Sequence, residues 1–125
     1  MACSRRSNMG LWALFLAPAL LAGAGCHSYH VETTVKNQTG AAIQLLEVDY
    51  PSASFGADSL AAGAEFHYRI QIQGAGPLKV QYTAAGGRHE QISGPTLSER
   101  QQGLLQIVLL PGGKAEFHPE LTPAP

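Results

Sequence analysis

Phe66-His67-Tyr68-Arg69-Ile70-Gln71-Ile72-Gln73 alternates apolar and polar side chains without a fault. Side chains of a β-strand point to opposite faces with a period of two, whereas a helix repeats every 3.6 residues. Phe66, Tyr68, Ile70 and Ile72 are therefore expected on a core face, with His67, Arg69, Gln71 and Gln73 in water. Downstream, Gly74-Ala75-Gly76-Pro77 leads to Leu78, Val80 and Tyr82 alternating with Lys79, Gln81 and Thr83. Two alternating runs joined by a glycine-rich turn are most simply read as an antiparallel hairpin.

The pattern continues toward the C-terminus. Gly86-Gly87 opens a reversal into residues 88–93, where Ile92 is the one strongly apolar residue, as suits an edge strand. Residues 98–103 are polar and make a longer connection with room for one helical turn. Leu104 to Leu110 is almost wholly apolar and reads as a central strand covered on both faces. Pro111-Gly112-Gly113 turns the chain into a last strand, Lys114 to His118. Residues 119–125 hold Pro119, Pro123 and Pro125 and are expected to be a disordered tail.

Toward the N-terminus, Ala61-Ala62-Gly63-Ala64 is a turn, and residues 52–60 are a weak strand around Phe55 with Gly56 as a bend. Ala42 to Tyr50 is a strand that Pro51 stops. Tyr29, Val31, Thr33 and Val35 alternate with His30, Glu32, Thr34 and Lys36, a half-buried strand. Asn37-Gln38-Thr39-Gly40 ends it, since Asn and Gly tolerate the backbone of a reversal. Asn37-Gln38-Thr39 is also an N-glycosylation sequon, but turn chemistry is the better explanation of it. Short strands at roughly 8–12 residue spacing, with no helix pattern among them, describe an all-β fold. We expect a small antiparallel β-sandwich of about seven strands over residues 31–118.

Ahead of this domain, Arg5 and Arg6 precede an uncharged apolar run from Met9 through Ala24. At about 16 residues the run is shorter than the ~20 needed to span a bilayer, and Pro18 interrupts it. It reads as the helix of an N-terminal signal peptide, residues 1–25, rather than a permanent anchor. Small Gly23, Ala24 and Gly25 followed by Cys26 resemble the lipobox of bacterial lipoproteins, with Gly23 where that family usually carries leucine. The resemblance implies that the Cys26 thiol takes a diacylglycerol, that cleavage makes it the first mature residue, and that palmitate is among its acyl chains. Residues 26–30 would then be the lipidated cysteine and a short tether. Such lipoproteins retained at the inner membrane typically carry Asp after the cysteine. His27 stands there, so the resemblance implies a cell-envelope protein at the outer membrane, facing the periplasm. From Val31 to Tyr82 the chain also resembles immunoglobulin-like domains of bacterial envelope proteins, through Val35-Lys36-Asn37-Gln38-Thr39-Gly40 and Leu60-Ala61-Ala62-Gly63-Ala64-Glu65 opening a long alternating strand.

With 8 basic and 9 acidic residues in the chain, loss of Arg5 and Arg6 leaves six against nine. That weak negative charge argues against nucleic acid as a partner. Cys3 leaves with the signal and Cys26 would be a thioether, so no disulfide is expected in the mature chain. No Gly-x-Ser-x-Gly elbow occurs. His67, His89 and His118 fall on expected surface positions, and Glu47 and Asp49 mark the solvated face of their strand. His27 and His30 lie three apart beside Cys26, but an extended chain points them to opposite faces and an acylated sulfur is no ligand. The sequence thus implies no catalytic residue, no metal ligand and no cofactor, and the chain reads as a non-enzyme. It is expected to be anchored to a membrane through Cys26 and to present a protein-interaction or structural module to an envelope protein. The alternative is a periplasmic ligand-binding module for a sugar, peptide or metal ion, with Tyr29, Tyr50, Tyr68 and Tyr82 as candidate contacts, of which Tyr68 and Tyr82 fit the core.

Overall fold

The computed structural model describes residues 29–123. Eight strands follow one another: β1 (Val31–Asn37), β2 (Ile43–Tyr50), β3 (Ala53–Leu60), β4 (Glu65–Ile70), β5 (Gly76–Thr83), β6 (His89–Leu97), β7 (Gln101–Leu110) and β8 (Lys114–Pro123). They form two four-stranded sheets, β4-β1-β7-β8 and β3-β2-β5-β6. All neighbours are antiparallel except β1 and β7, which run parallel. No helix occurs among the described residues. The two sheets face each other over a core that includes Val31, Val35, Ile43, Ile70, Leu105 and Ile107. Among the described residues every strand lies between Val31 and Pro123. The signal-peptide helix of residues 1–25 and the Cys26 tether lie outside the described residues.

The alternation read around Ile70 holds, with a difference in depth. Ile70 and Ile72 are buried, but Phe66 is only half-buried and Tyr68 is 45% exposed. Phe66, Tyr68 and Ile70 of β4 stand opposite inward positions of β1, namely Val35, Thr33 and Val31. The reason for the shallowness is that β4 is the outermost strand of its sheet, so its inner face overhangs the core margin. The expected β4–β5 hairpin does not form. β4 pairs with β1, and β5 pairs with β2 and β6, so residues 71–75 cross from one sheet to the other. Glycine-rich turns serve both connections, and the crossing lets Ile70 and Ile72 both enter the core between the layers.

Three further differences have local causes. In β2 a bulge lies between Gln44 and Glu47, where the register with β5 shifts. Leu45 adopts φ of 52° there and is 66% exposed. The extra residue lets Ile43, Leu46 and Val48 all point inward although their spacing is not strictly two. The opposite strand accommodates this with Gly56, since a Cβ at that position would collide with the Leu46 carbonyl oxygen. β7 is central in its sheet, but Leu104 and Gln106 on its outer side are exposed, so only its inner face is covered along its whole length. Finally, β8 runs past His118 to Pro123, through the stretch expected to be a loose tail. As an edge strand bonded only to β7, it tolerates Pro119 and Pro123 because a proline lacks a donor only toward the open side.

Asn37 ties the layers together at one end. It is fully buried, and its Nδ2 donates to the carbonyl oxygens of Ala41 (2.8 Å), Leu60 (3.0 Å) and Ala61 (3.2 Å). Its Oδ1 accepts from the backbone N–H of Thr39 (3.0 Å) and from Thr39 Oγ1 (2.7 Å). Its backbone N–H donates to Ala64 and its carbonyl accepts from Gly63. The side chain is therefore committed to the turns after β1 and β3, in keeping with turn chemistry rather than a glycan at this sequon.

Two stability measurements on residues 27–125 check this description. In urea melts, Ile70→Ala should cost about 2–5 kcal/mol through lost burial and an unfilled cavity, while Gln71→Ala should stay within about 0.5 kcal/mol; equal losses would contradict the alternation. Asn37→Asp would set a carboxylate against three carbonyl oxygens in a buried site. It should cost about 3–5 kcal/mol, and a loss below that of Gln71→Ala would show that the network contributes nothing.

Candidate functional site

The strand directions give the sandwich two distinct ends. The N-terminal end holds residues 29–30, the turns 51–52, 71–75 and 98–100, and Pro123; the far end holds the turns 38–42, 61–64, 84–88 and 111–113. The chain enters firmly. The His30 carbonyl accepts from the Gly103 N–H at 3.1 Å, and the Arg100 guanidinium lies 4.8 Å from the centre of the Tyr29 ring. Cys26 and His27 precede this point and lie outside the described residues.

The residues weighed for chemistry are dispersed. His67 is exposed on β4 and bonds Thr34 Oγ1 through Nδ1 at 3.2 Å; His89 is exposed at the start of β6; His118 lies on β8, 3.2 Å from Glu116 Oε1. Glu47 accepts from Gln81 Nε2 at 2.9 Å across the β2–β5 pair, while Asp49 stands opposite Lys79. Among the described residues no group of three or more His, Cys, Asp or Glu could hold a metal ion.

What the fold does assemble is a charged outer face on the β4-β1-β7-β8 sheet. Register places Arg69, Glu32, Leu104 and Glu120 in one row, His67, Thr34, Gln106 and His118 in the next, and Glu65, Lys36, Val108 and Glu116 in a third. Arg69 Nε donates to Glu32 Oε2 at 2.7 Å, and Lys36 Nζ lies 3.9 Å from Glu65 Oε2. These pairs are solvent-accessible, so each contributes at most ~1 kcal/mol to stability. Their value lies in the pattern of alternating charge that they present.

One flank of the sandwich is aromatic. Phe55 on β3 stacks on Tyr68 of β4 with ring centres 4.7 Å apart and planes at 13°, and Phe66 and Tyr50 lie within 6.0 Å and 6.3 Å of the same ring. This stack joins the outermost strands of the two sheets, which are otherwise open at their edges. At the opposite flank β6 and β8 are the outermost strands, and a Cβ at Gly94 of β6 would press on the Phe117 ring of β8. Periodicity located Phe66 and Tyr68, but nothing in it said that their strand would be an edge.

At the far end, Thr39, Ala41, Tyr82, Ala84, Arg88, Glu90 and the turn 110–113 enclose a cleft of about 110 Å³. Arg88 Nε donates to Glu90 Oε2 at 2.7 Å over it, and the Glu90 carboxylate sits where a Cβ on Gly113 would be. Tyr82 forms the floor and is 1% exposed. Burial pushes its phenol above the usual 10.0, the neighbouring Glu90 carboxylate adds to the rise, and Arg88 opposes it. A second cleft of about 260 Å³ lies over Leu104 between Glu32, His118 and Glu120. Both are below the ~300–1,000 Å³ usual for small-molecule sites, whereas an open groove of about 570 Å³ along β2 and β3, lined by Leu45, Glu47, Phe55 and Asp58, falls within that range.

The Tyr82 shift has a sign that can be measured. A phenol with a raised folded value stays protonated in the native state while its unfolded counterpart ionises, so its contribution is complete below pH 10 and is lost as pH rises through the folded value. Stability of residues 27–125 should therefore fall above about pH 10, and Tyr82→Phe should flatten that fall in urea melts across the range. An unchanged alkaline profile would mean that Tyr82 is not shielded.

No protein-family model and no curated protein matches this chain. Among solved structures it is similar to the NMR structure of a protein from Eubacterium rectale, with a TM-score of 0.52 and 12% identity, over 78% of this chain and 92% of that one. At that identity the likeness concerns the fold alone.

Proposed function

We propose that the chain is a membrane-anchored bacterial envelope lipoprotein, lipidated at Cys26, whose immunoglobulin-like sandwich acts as a non-enzymatic protein-interaction or structural module. The observation that carries this reading is the run Leu20-Leu21-Ala22-Gly23-Ala24-Gly25-Cys26, set only three residues ahead of Tyr29. Three extended residues reach at most ~11 Å, so a lipid on Cys26 would hold the N-terminal end against the bilayer. The turns 51–52, 71–75 and 98–100 would face the lipid, and the far end and the flanks would face the periplasm. With His27 rather than Asp after the cysteine, the outer membrane is the proposed location.

A protein partner suits this arrangement better than a small ligand, because the clefts at Tyr82 and Leu104 are small, the larger groove along β2 and β3 is wide open to solvent, and the edge of β4 is accessible to another chain. Strand addition at such an edge combines backbone pairing with alternate side-chain contacts. A ligand-binding module is the second reading, favoured by the Tyr82 cleft at the end that would point away from the membrane. Metabolic labelling with palmitate tests the anchor. The wild-type chain should incorporate label and partition with membranes, whereas Cys26→Ser should remain unlabelled and uncleaved or become soluble. Labelled Cys26→Ser protein would refute the lipoprotein reading.

A further inference from the structure

We propose that the open edge of β4 pairs antiparallel with β4 of a second copy of this chain, centred on His67. Three features of the strand carry the inference. First, β4 is bonded on one side only, and from Glu65 to Ile70 it contains neither proline nor glycine. The other outermost strands are interrupted, β8 by Pro119, β6 by Pro95 and β3 by Gly56. An uninterrupted free edge is a template for another strand.

Second, the backbone groups set the register. Ala64 accepts from the Asn37 N–H at 2.9 Å, and in an antiparallel ladder residues bonded to the neighbour alternate with residues whose N–H and C=O point away. Phe66, Tyr68 and Ile70 therefore bond β1, and Glu65, His67 and Arg69 hold their donors and acceptors outward. A second β4 meets these groups along its full length when His67 lies opposite His67. Glu65 then stands opposite Arg69 of the other copy, and Arg69 opposite its Glu65.

Third, the side chains on both faces match in that register. On the outer face, Glu32 and Arg69 of one copy continue into Glu65 and Lys36 of the other, a row of alternating charge across the seam. On the inner face, Phe66 lies opposite Tyr68 of the other copy, which covers the exposed part of Tyr68 and lengthens the stack on Phe55. The segment Glu65-Phe66-His67-Tyr68-Arg69 is thus self-complementary in charge and in shape. The pairing does not depend on lipidation, and it sets the two N-terminal ends at opposite ends of the dimer.

Sedimentation equilibrium of residues 27–125 tests the proposal. The wild type should be a dimer below about 1 mM. Glu65→Arg alone and Arg69→Glu alone each set like charges opposite one another twice, and each should weaken the dimer about tenfold or more. An equimolar mixture of the two restores opposite charges at every position and should recover the dimer, which excludes misfolding as the cause of the loss. Residues 27–125 contain no cysteine, so His67→Cys gives an independent reading. Opposed residues of a hydrogen-bonded pair lie ~5.5 Å apart at Cα, within disulfide range. The variant should oxidise to a covalent dimer much faster than Gln44→Cys, which lies on the other sheet. A wild type still monomeric at about 1 mM, a mixture that stays monomeric, or equal oxidation of the two cysteine variants would each overturn the proposal.

Discussion

The sandwich depends on one buried amide. Asn37 closes β1, and its side chain reaches across to the other sheet, to carbonyl oxygens at Ala41 leading into β2 and at Leu60 and Ala61 leaving β3. Two N–H groups serve three acceptors, and the amide oxygen fixes the Thr39 turn. The Ala41 carbonyl also accepts from Thr39 Oγ1 and the Ala61 carbonyl from the Ala64 N–H, so the amide belongs to a network that satisfies these turns from within. An aspartate, serine or apolar residue would meet only part of this need, because none of them offers two donors and an acceptor together.

With that end fixed, the two layers differ in character. The β3-β2-β5-β6 sheet carries the bulge at Leu45 and the close approach at Gly56, irregularities that bend it around the core. The β4-β1-β7-β8 sheet keeps regular register along β1, β4 and β7, and for that reason can present ordered rows of charge on its outer face. Regularity also leaves β4 as a straight, unbroken edge, whereas the outermost strands of the opposite flank are interrupted by Pro95 in β6 and Pro119 in β8.

Much of this was legible from alternation. The inward face of β1, the buried end of β4, the edge character of β6 and the turns at Asn37, Gly63, Gly86 and Pro111 all followed from period and turn chemistry. Alternation reports which face a side chain takes, though, and not where its strand stands in the sheet. Tyr68 therefore read as core although it lies on an edge, and the exposure of the outer side of β7 at Leu104 and Gln106 was hidden by the apolar letters Leu104 and Val108. The crossing after Ile72 was read as a hairpin because a glycine-rich turn has the same composition in either connection. β8 was cut short at Pro119 because a proline forbids a central strand but not an outer one. The bulge at Leu45 leaves only a faint trace, in an apolar pair where strict alternation would have placed one polar residue. The chemistry expected at Cys26 belongs to a segment that precedes the described residues.

The placement of β1 has a mechanical consequence. The first strand of the domain is not at an edge but is held between β4 and β7 along Val31 to Asn37. A pull delivered through the N-terminal segment runs along this strand, so its two ladders are loaded in shear. Their hydrogen bonds must give way together rather than one after another, as they would if an outer strand were peeled away. The parallel partner β7 is itself braced by β8, which spreads the load across the whole sheet. A pull on the N-terminus would therefore meet a strand of this sheet that is bonded on both sides.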